Sequence, residues 1–228
     1  MHDPPQRPGL VHHPLFRVGV FTLAYMALAI WGALRSGNRE FVFYIAVMAI
    51  LIAAVVVVHA RVGLSGGLLW GLSVWGALHM AGGLVTLPPE WPVHGDLHVL
   101  YNWWVIPRPD APPGAAGGWL KFDQVVHAYG FGIATWLCWQ GLRGALRGRV
   151  EAGVAEPALQ PSPGLMVLVA AAGMGLGATN EIVEFIATRI AETNVGGYVN
   201  TGWDLVANAV GSGAAAAIIY VGARRGSR

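Results

Sequence analysis

Six stretches of this sequence, each about 20 residues long and almost free of charge, leave little choice of fold. They run from about Leu15 to Leu34, Phe41 to Ala60, Gly66 to Leu87, Asp123 to Leu142, Gly164 to Ile190 and Trp203 to Val221. A bilayer core about 30 Å thick is crossed by roughly 20 helical residues. None of the runs alternates with period two, and an open sheet edge cannot face lipid. The expectation is an all-α bundle of six transmembrane helices. Its domain divisions are an N-terminal tail over 1–14, a membrane domain over 15–221 and a basic C-terminal tail over 222–228.

Composition supports this reading. Only 11% of the 228 residues are charged, and the mean hydropathy is +0.53. A soluble domain carries roughly a quarter of its residues as charges, so this chain cannot clothe a water-facing surface. A net charge of +2 offers no field for nucleic acid. Cys138, the single cysteine, excludes an internal disulfide or a thiolate metal site. The segment before Leu15 lacks a basic start leading to a small-residue cleavage site, so the first span is expected to stay as an anchor. Arg7, Arg17, Arg61, Arg143, Arg147, Arg149, Arg224, Arg225 and Arg228 fall on one side, against Arg35, Arg39, Arg108, Lys121 and Arg189 on the other. Cytoplasmic loops collect the excess of such cations. Both termini are therefore expected in the cytoplasm of a bacterial inner membrane. Trp91, Trp103, Trp104, Trp119 and Trp203 would mark the outer interface.

Polar residues inside the spans are few and oddly placed. His79 lies on span three. Asp123 and His127 are four apart on span four, Glu181 and Glu184 three apart on span five beside Asn180, and Asp204 and Asn208 four apart on span six. Such spacings put each pair on one helical face. Counted at 1.5 Å per residue, all lie within one band near the outer surface. Buried ionisable groups are costly and tend to turn inward. Taken singly, Asp123 and Asp204 read as helix caps, with Thr201 and Asp204 resembling a capping box. Glu181 has no cation in its own turn and needs a partner.

The outer loop from Pro88 to Phe122 is long. His94, His98 and Tyr101 would share one face of a short interfacial helix, which could cover or complete the site; Pro107 to Gly118 reads as an extended tether. His2, His12 and His13 lie in the N-terminal tail and read as incidental. The glycine runs near Gly173 and Gly211 follow no strand and read as close helix contacts, not nucleotide loops. No haem motif is present.

His79-Met-Ala-Gly-Gly83, Phe122-Asp123-Gln-Val-Val-His127, Asn180-Glu181-Ile-Val-Glu184-Phe185 and Trp203-Asp204 resemble the YjdF-like family of bacterial inner-membrane proteins, over roughly spans three to six. More distantly, Asp-x-x-x-His, then Glu, then Asp-x-x-x-Asn is similar to VanZ-like proteins. The resemblance implies six membrane helices. Val199-Asn200-Thr201-Gly202 stands where the family pattern has a Gln-Gly-Asp stretch, and Asn208 where an acidic residue is usual.

Imidazole and carboxylate groups converging from facing helices are how bundles hold metal ions, and nitrogen and oxygen donors suit Zn, Fe or Mn. His79, Asp123, His127, Glu181 and Asp204 are the candidate metal ligands. Asn208, His94 and His98 stand as secondary candidates, and Glu184 as general base. The expected function is a metal-dependent hydrolase acting on a lipid or envelope precursor that enters from the membrane. A proton- or cation-coupled transporter using the same cluster, and a non-catalytic membrane scaffold, are the alternatives.

Overall fold

The computed structural model describes residues 14–36, 39–109, 117–151, 159–190 and 197–226. Most of the N-terminal tail, with His2, His12 and His13, and most of the loop between Glu151 and Pro163 lie outside these residues. Six α-helices form: α1 (Pro14–Ser36), α2 (Arg39–Val62), α3 (Gly66–Leu84), α4 (Phe122–Glu151), α5 (Pro163–Ile190) and α6 (Tyr198–Gly226). Each expected apolar run lies within or nearly within one of them. Four contain stretches long and apolar enough to cross a membrane unaided: Leu15–Ser36, Phe41–Val62, Pro163–Ile186 and Tyr198–Arg225. The other two differ in kind: α3 is apolar but short, 19 residues with His79 among them, whereas α4 is diluted by Asp123, His127, Gln140 and arginines. The protein is thus an all-α membrane protein. The basic C-terminal tail expected over 222–228 is instead helical through Gly226, with Arg224 and Arg225 in the last turn of α6. Cations there complement the helix dipole.

The tightest packing joins α4 to α6. A Cβ at Gly211 would run into the Ala128 backbone carbonyl, and one at Gly132 would sit 3.2 Å from the Gly211 carbonyl. Side chains have been cleared so that the two backbones touch, which is how helices associate where lipid supplies no hydrophobic drive. On α5, the buried positions Met166, Val169, Gly173, Gly177, Glu181 and Glu184 recur at intervals of three or four. They form the single stripe turned toward α4 and α6. A second cluster packs Ala29 and Ala33 of α1, Phe41 and Tyr44 of α2 and Met80 of α3. The α1–α3 contact is pinned by a 2.6 Å hydrogen bond between the Thr22 and Ser73 hydroxyls.

The loop after α3 departs from expectation. No interfacial helix carries His94 and His98. Gly95 between them takes φ +72°, a left-handed conformation that breaks a right-handed helix, and Pro88, Pro89 and Pro92 crowd the approach. The chain instead crosses itself in extended form. Leu87 donates to the His98 carbonyl at 2.8 Å and His94 to that of Asn102 at 2.7 Å. A 3-10 turn at Leu100–Asn102 follows. The expected tether begins and ends in an antiparallel pair, β1 (Trp104–Pro107) with β2 (Gly118–Lys121). This hairpin delivers Lys121 directly to the start of α4.

Candidate functional site

Successive helices α4, α5 and α6 are antiparallel, so the start of α4, the end of α5 and the start of α6 meet at one side of the bundle. At 1.5 Å per residue, His127 lies about 8 Å and Asp204 about 9 Å inside their helix starts, and Glu181 about 14 Å before the end of α5. The polar band read from the sequence is present. It also converges: ligand atoms of Asp123, His127 and Asp204 lie within 4.8 Å of one another, as do those of His127, Glu181 and Glu184. Two triads share one imidazole.

His127 is the hub. Its Nε2 faces Asp123 Oδ1 at 3.6 Å, while its Nδ1 is 3.0 Å from Asn208 Oδ1 and 3.4 Å from Glu181 Oε1. A neutral imidazole whose Nδ1–H is given to the Asn208 carbonyl presents its Nε2 lone pair toward Asp123. His127, Glu181, Glu184, Asp204 and Asn208 are all buried, Asp204 completely. Among the described residues neither oxygen of Glu181 has a hydrogen-bond partner, nor does Asp204 Oδ1. Glu184, by contrast, accepts from Asn180 Nδ2 at 2.8 Å. Buried polar atoms are rarely left without a hydrogen bond, so these oxygens, one of them near His127, could take a cation or a proton.

Asp123 sits where a carboxylate complements the helix dipole, but its partners are Lys121, Asn200 and His127 rather than backbone N–H groups, and Asp204 is no cap at all. Asp123 lies in the first turn of α4, although the bond that closes this terminus is from the Lys121 N–H to Gln124 Oε1, 2.9 Å. Asp204 lies more than one turn inside α6, which begins at Tyr198. Its carboxylate is therefore not a cap, and Thr201 is helical rather than the head of a capping box.

Lys121 and Asn200 join the cluster without having been expected there. The Lys121 ammonium is buried, donates to Asn200 Oδ1, and lies 3.5 Å from Asp123 Oδ2. The Asn200 amide in turn donates to Asp204 and, at 3.3 Å, to Asp123. One signal was available: Lys121 is the chain's sole lysine and sits two residues before Asp123. For Asn200 the four-residue step to Asp204 and Asn208 was the clue. The same step carries α6 to Ser212, which with Thr135 of α4 is fully buried. Both hydroxyls bond the Phe131 carbonyl, at 3.3 and 2.7 Å, so the polar seam closes there on backbone.

Above the triads lies a cavity of about 290 Å³ whose wall includes His79, Tyr101, Lys121, Asp123, Glu184 and Asn200. His79 belongs to this wall and stands apart from both triads, its ring edge-on to Tyr101 at 5.6 Å and to Tyr44 at 6.3 Å. The glycines after it have a visible purpose, since a Cβ at Gly82 would enter the Tyr101 ring and one at Gly83 the Phe41 ring. Tyr101 donates to the His79 carbonyl at 2.8 Å. Burial first, and then the charges of Asp123 and Glu184, hold its phenol well above the usual tyrosine range, so it stays a donor. His94 also reaches the cavity. Partial burial, with the Lys121 charge, lowers its imidazole below the ordinary value. His98 does not line the cavity; its Nδ1 is buried without a hydrogen-bond partner.

Residues 18–225 match the family described as Predicted membrane protein (DUF2238). The chain belongs to that family. No curated protein and no solved structure matches it. As a DUF2238 member the chain is a membrane protein, in agreement with its four strongly apolar helices. The chemistry of the site must be argued from its own side chains.

Proposed function

We propose that this protein binds a divalent cation, Zn, Fe or Mn, in the nest between α4, α5 and α6, and uses it to hydrolyse a lipid or envelope precursor. The observation that carries the reading is the pair of triads around His127, with three buried carboxylate oxygens left without hydrogen bonds. Asp123, Glu181, Glu184 and Asp204 bring four carboxylates into a site where Lys121 is the fixed cation among the described residues. Several buried carboxylates repel one another unless cations or protons intervene. Nitrogen and oxygen donors without thiolate suit these metals, and a bound ion of this kind supplies an activated water at neutral pH.

The chain's own groups divide the remaining work. Asn208 orients His127. Asp123, His127 and Asp204 form the first binding set, and Glu181 offers its unpaired oxygens from the opposite side. Glu184, held by Asn180 and facing the cavity, is placed to take a proton from water. His79, Tyr101 and Lys121 line the way in, and a lysine beside a tyrosine donor suits an anionic headgroup. Six spans, with both termini in the cytoplasm of a bacterial inner membrane, complete the reading, so the cavity opens to the outer leaflet. The YjdF-like likeness accords with it. The closure of the polar seam at Thr135 and Ser212 favours a one-sided pocket over a transport path.

Elemental analysis of chelator-free, detergent-purified wild type beside Asp123→Asn and Glu181→Gln tests this. About one divalent ion per chain, lost in both variants, is the expected result. A metal-free wild type would overturn it. Variants that keep their metal content and change only in thermal stability would leave a scaffold.

A further inference from the structure

At the end of the bundle opposite the carboxylates, two cavities share a wall. The first is a groove of about 1220 Å³ between α4 and α6, floored by small residues such as Gly132, Gly211 and Ala215. Along α4 it runs from Ala128 to Arg147, about 28 Å at 1.5 Å per residue, which is close to the thickness of a bilayer's hydrocarbon core. The second is a smaller pocket of about 240 Å³ whose walls include Ser65 and Gln140. Trp136, Trp139, Arg143 and Arg147 border both. An apolar groove and a polar chamber therefore lie on either side of one wall, and that wall carries two guanidinium groups.

Three features give the junction a chemical preference. Among the side chains the structure describes, which leave out 148–151, neither arginine has a carboxylate partner. Arg143 is steered by the Trp139 ring beneath it, 5.7 Å from guanidinium carbon to ring centre. The chamber wall is held in place across two helices, because the Ser65 N–H donates to Gln140 Oε1 at 2.8 Å and Gln140 Nε2 returns a bond to Ser65 Oγ at 2.7 Å. A planar guanidinium pairs with phosphate through parallel hydrogen bonds, and the floor beyond it offers apolar contact. We propose that this double cavity binds an anionic phospholipid, its phosphate against Arg143 and Arg147 and an acyl chain along the α4–α6 groove. A zwitterionic lipid would bring its own ammonium to the same two cations and be disfavoured. The groove begins beside Ala128, next to the carboxylate nest, but Arg143 and Arg147 lie four turns or more further along α4, so the headgroup site does not depend on what the nest holds.

Native mass spectrometry of the detergent-purified full chain provides the test. Phosphatidylglycerol and phosphatidylcholine of identical chains are added in equal amounts and the retained adducts compared. Wild type should retain the glycerol lipid about tenfold more, in line with the contribution of two basic side chains near an anionic headgroup. Arg143→Gln combined with Arg147→Gln should bring the ratio close to one. Ala215→Trp, which fills the groove and leaves the arginines in place, should cut retention of both lipids. Equal retention of the two lipids by wild type overturns the proposal without recourse to any variant. So does a preference that survives loss of both arginines, or full retention in Ala215→Trp.

Discussion

Replacing Gly211 by alanine asks whether the α4–α6 contact is what holds this protein together. The added Cβ would overlap the Ala128 carbonyl oxygen and carbon, and backbone atoms cannot rotate away as a side chain can. The helices must part. Overpacking of a core costs about 1–3 kcal/mol, and an obstacle made of backbone puts this site toward the upper end. Alanine returns about 0.8–1 kcal/mol of helix propensity, leaving a net loss of about 2 kcal/mol. In a chain of this size that corresponds to a fall in Tm of roughly 4–8 °C. Gly213 supplies the control, being two residues on with nothing within 4 Å of its Cβ position. Gly213→Ala should keep the propensity gain and melt about 2–4 °C higher. Intrinsic tryptophan fluorescence during heating in one detergent reads both. A Gly211→Ala protein as stable as the Gly213→Ala protein would refute close backbone contact between α4 and α6.

Other consequences are as direct. A Cβ at Gly177 would lie 2.7–3.0 Å from the Asn208 side chain, whereas Gly175 on the same helix faces open space; Gly177→Ala should therefore lower metal retention by displacing Asn208 from His127, and Gly175→Ala should not, as read by elemental analysis. Lys121→Met removes the fixed cation among four carboxylates, and breaking a buried pair costs about 3–5 kcal/mol, so its Tm should fall well below wild type. His94 should titrate by NMR below the usual imidazole value of about 6.5; because folding weakens its proton binding, its contribution to stability is complete above that value and is lost as the pH falls from there through the lower folded midpoint. In Lys121→Met its midpoint should rise only partly, since burial is the larger cause.

The helices were legible because each follows a largely apolar run ended by Arg, Gly or Pro, and in four of them that run is long and apolar enough to cross a membrane. The polar pairs were legible for a related reason. Asp123 with His127, and Asp204 with Asn208, are conspicuous against alanine and valine, and spacing alone places each pair on one face. Lys121 was harder to see, because a lysine next to a loop normally faces water, and only the hairpin folding back on itself buries it. The loop around His94 and His98 was misread for a definable reason. Four-residue spacing implies a shared face only if every intervening residue is right-handed, and Gly95 is not. Asp204 looked like a cap because the apolar run was read as beginning beside it; the helix itself starts six residues earlier, and Asn200, Thr201 and Gly202 interrupt the hydropathy signal there.

The glycines and the acidic groups belong to one pattern. On α6 the polar residues Asn200, Asp204, Asn208 and Ser212 recur every fourth position, and on α4 Asp123, His127 and Thr135 occupy the same repeat. On α5 the facing positions are Gly173, against Thr135 and Ser212, and Gly177, against Asn208, followed by Glu181 and Glu184. Where α5 is small, polar side chains of α4 and α6 occupy the freed space and satisfy one another or a backbone carbonyl. Where α5 turns acidic, two glutamates enter that space and their charge meets the aspartates. A helix that was small throughout would give a closed hydrogen-bonded seam, and one acidic throughout could not be buried. The change from glycine to glutamate between Gly177 and Glu181 thus sets the depth at which the closed hydrogen-bonded seam gives way to a cluster of carboxylate and imidazole groups that could hold a metal ion.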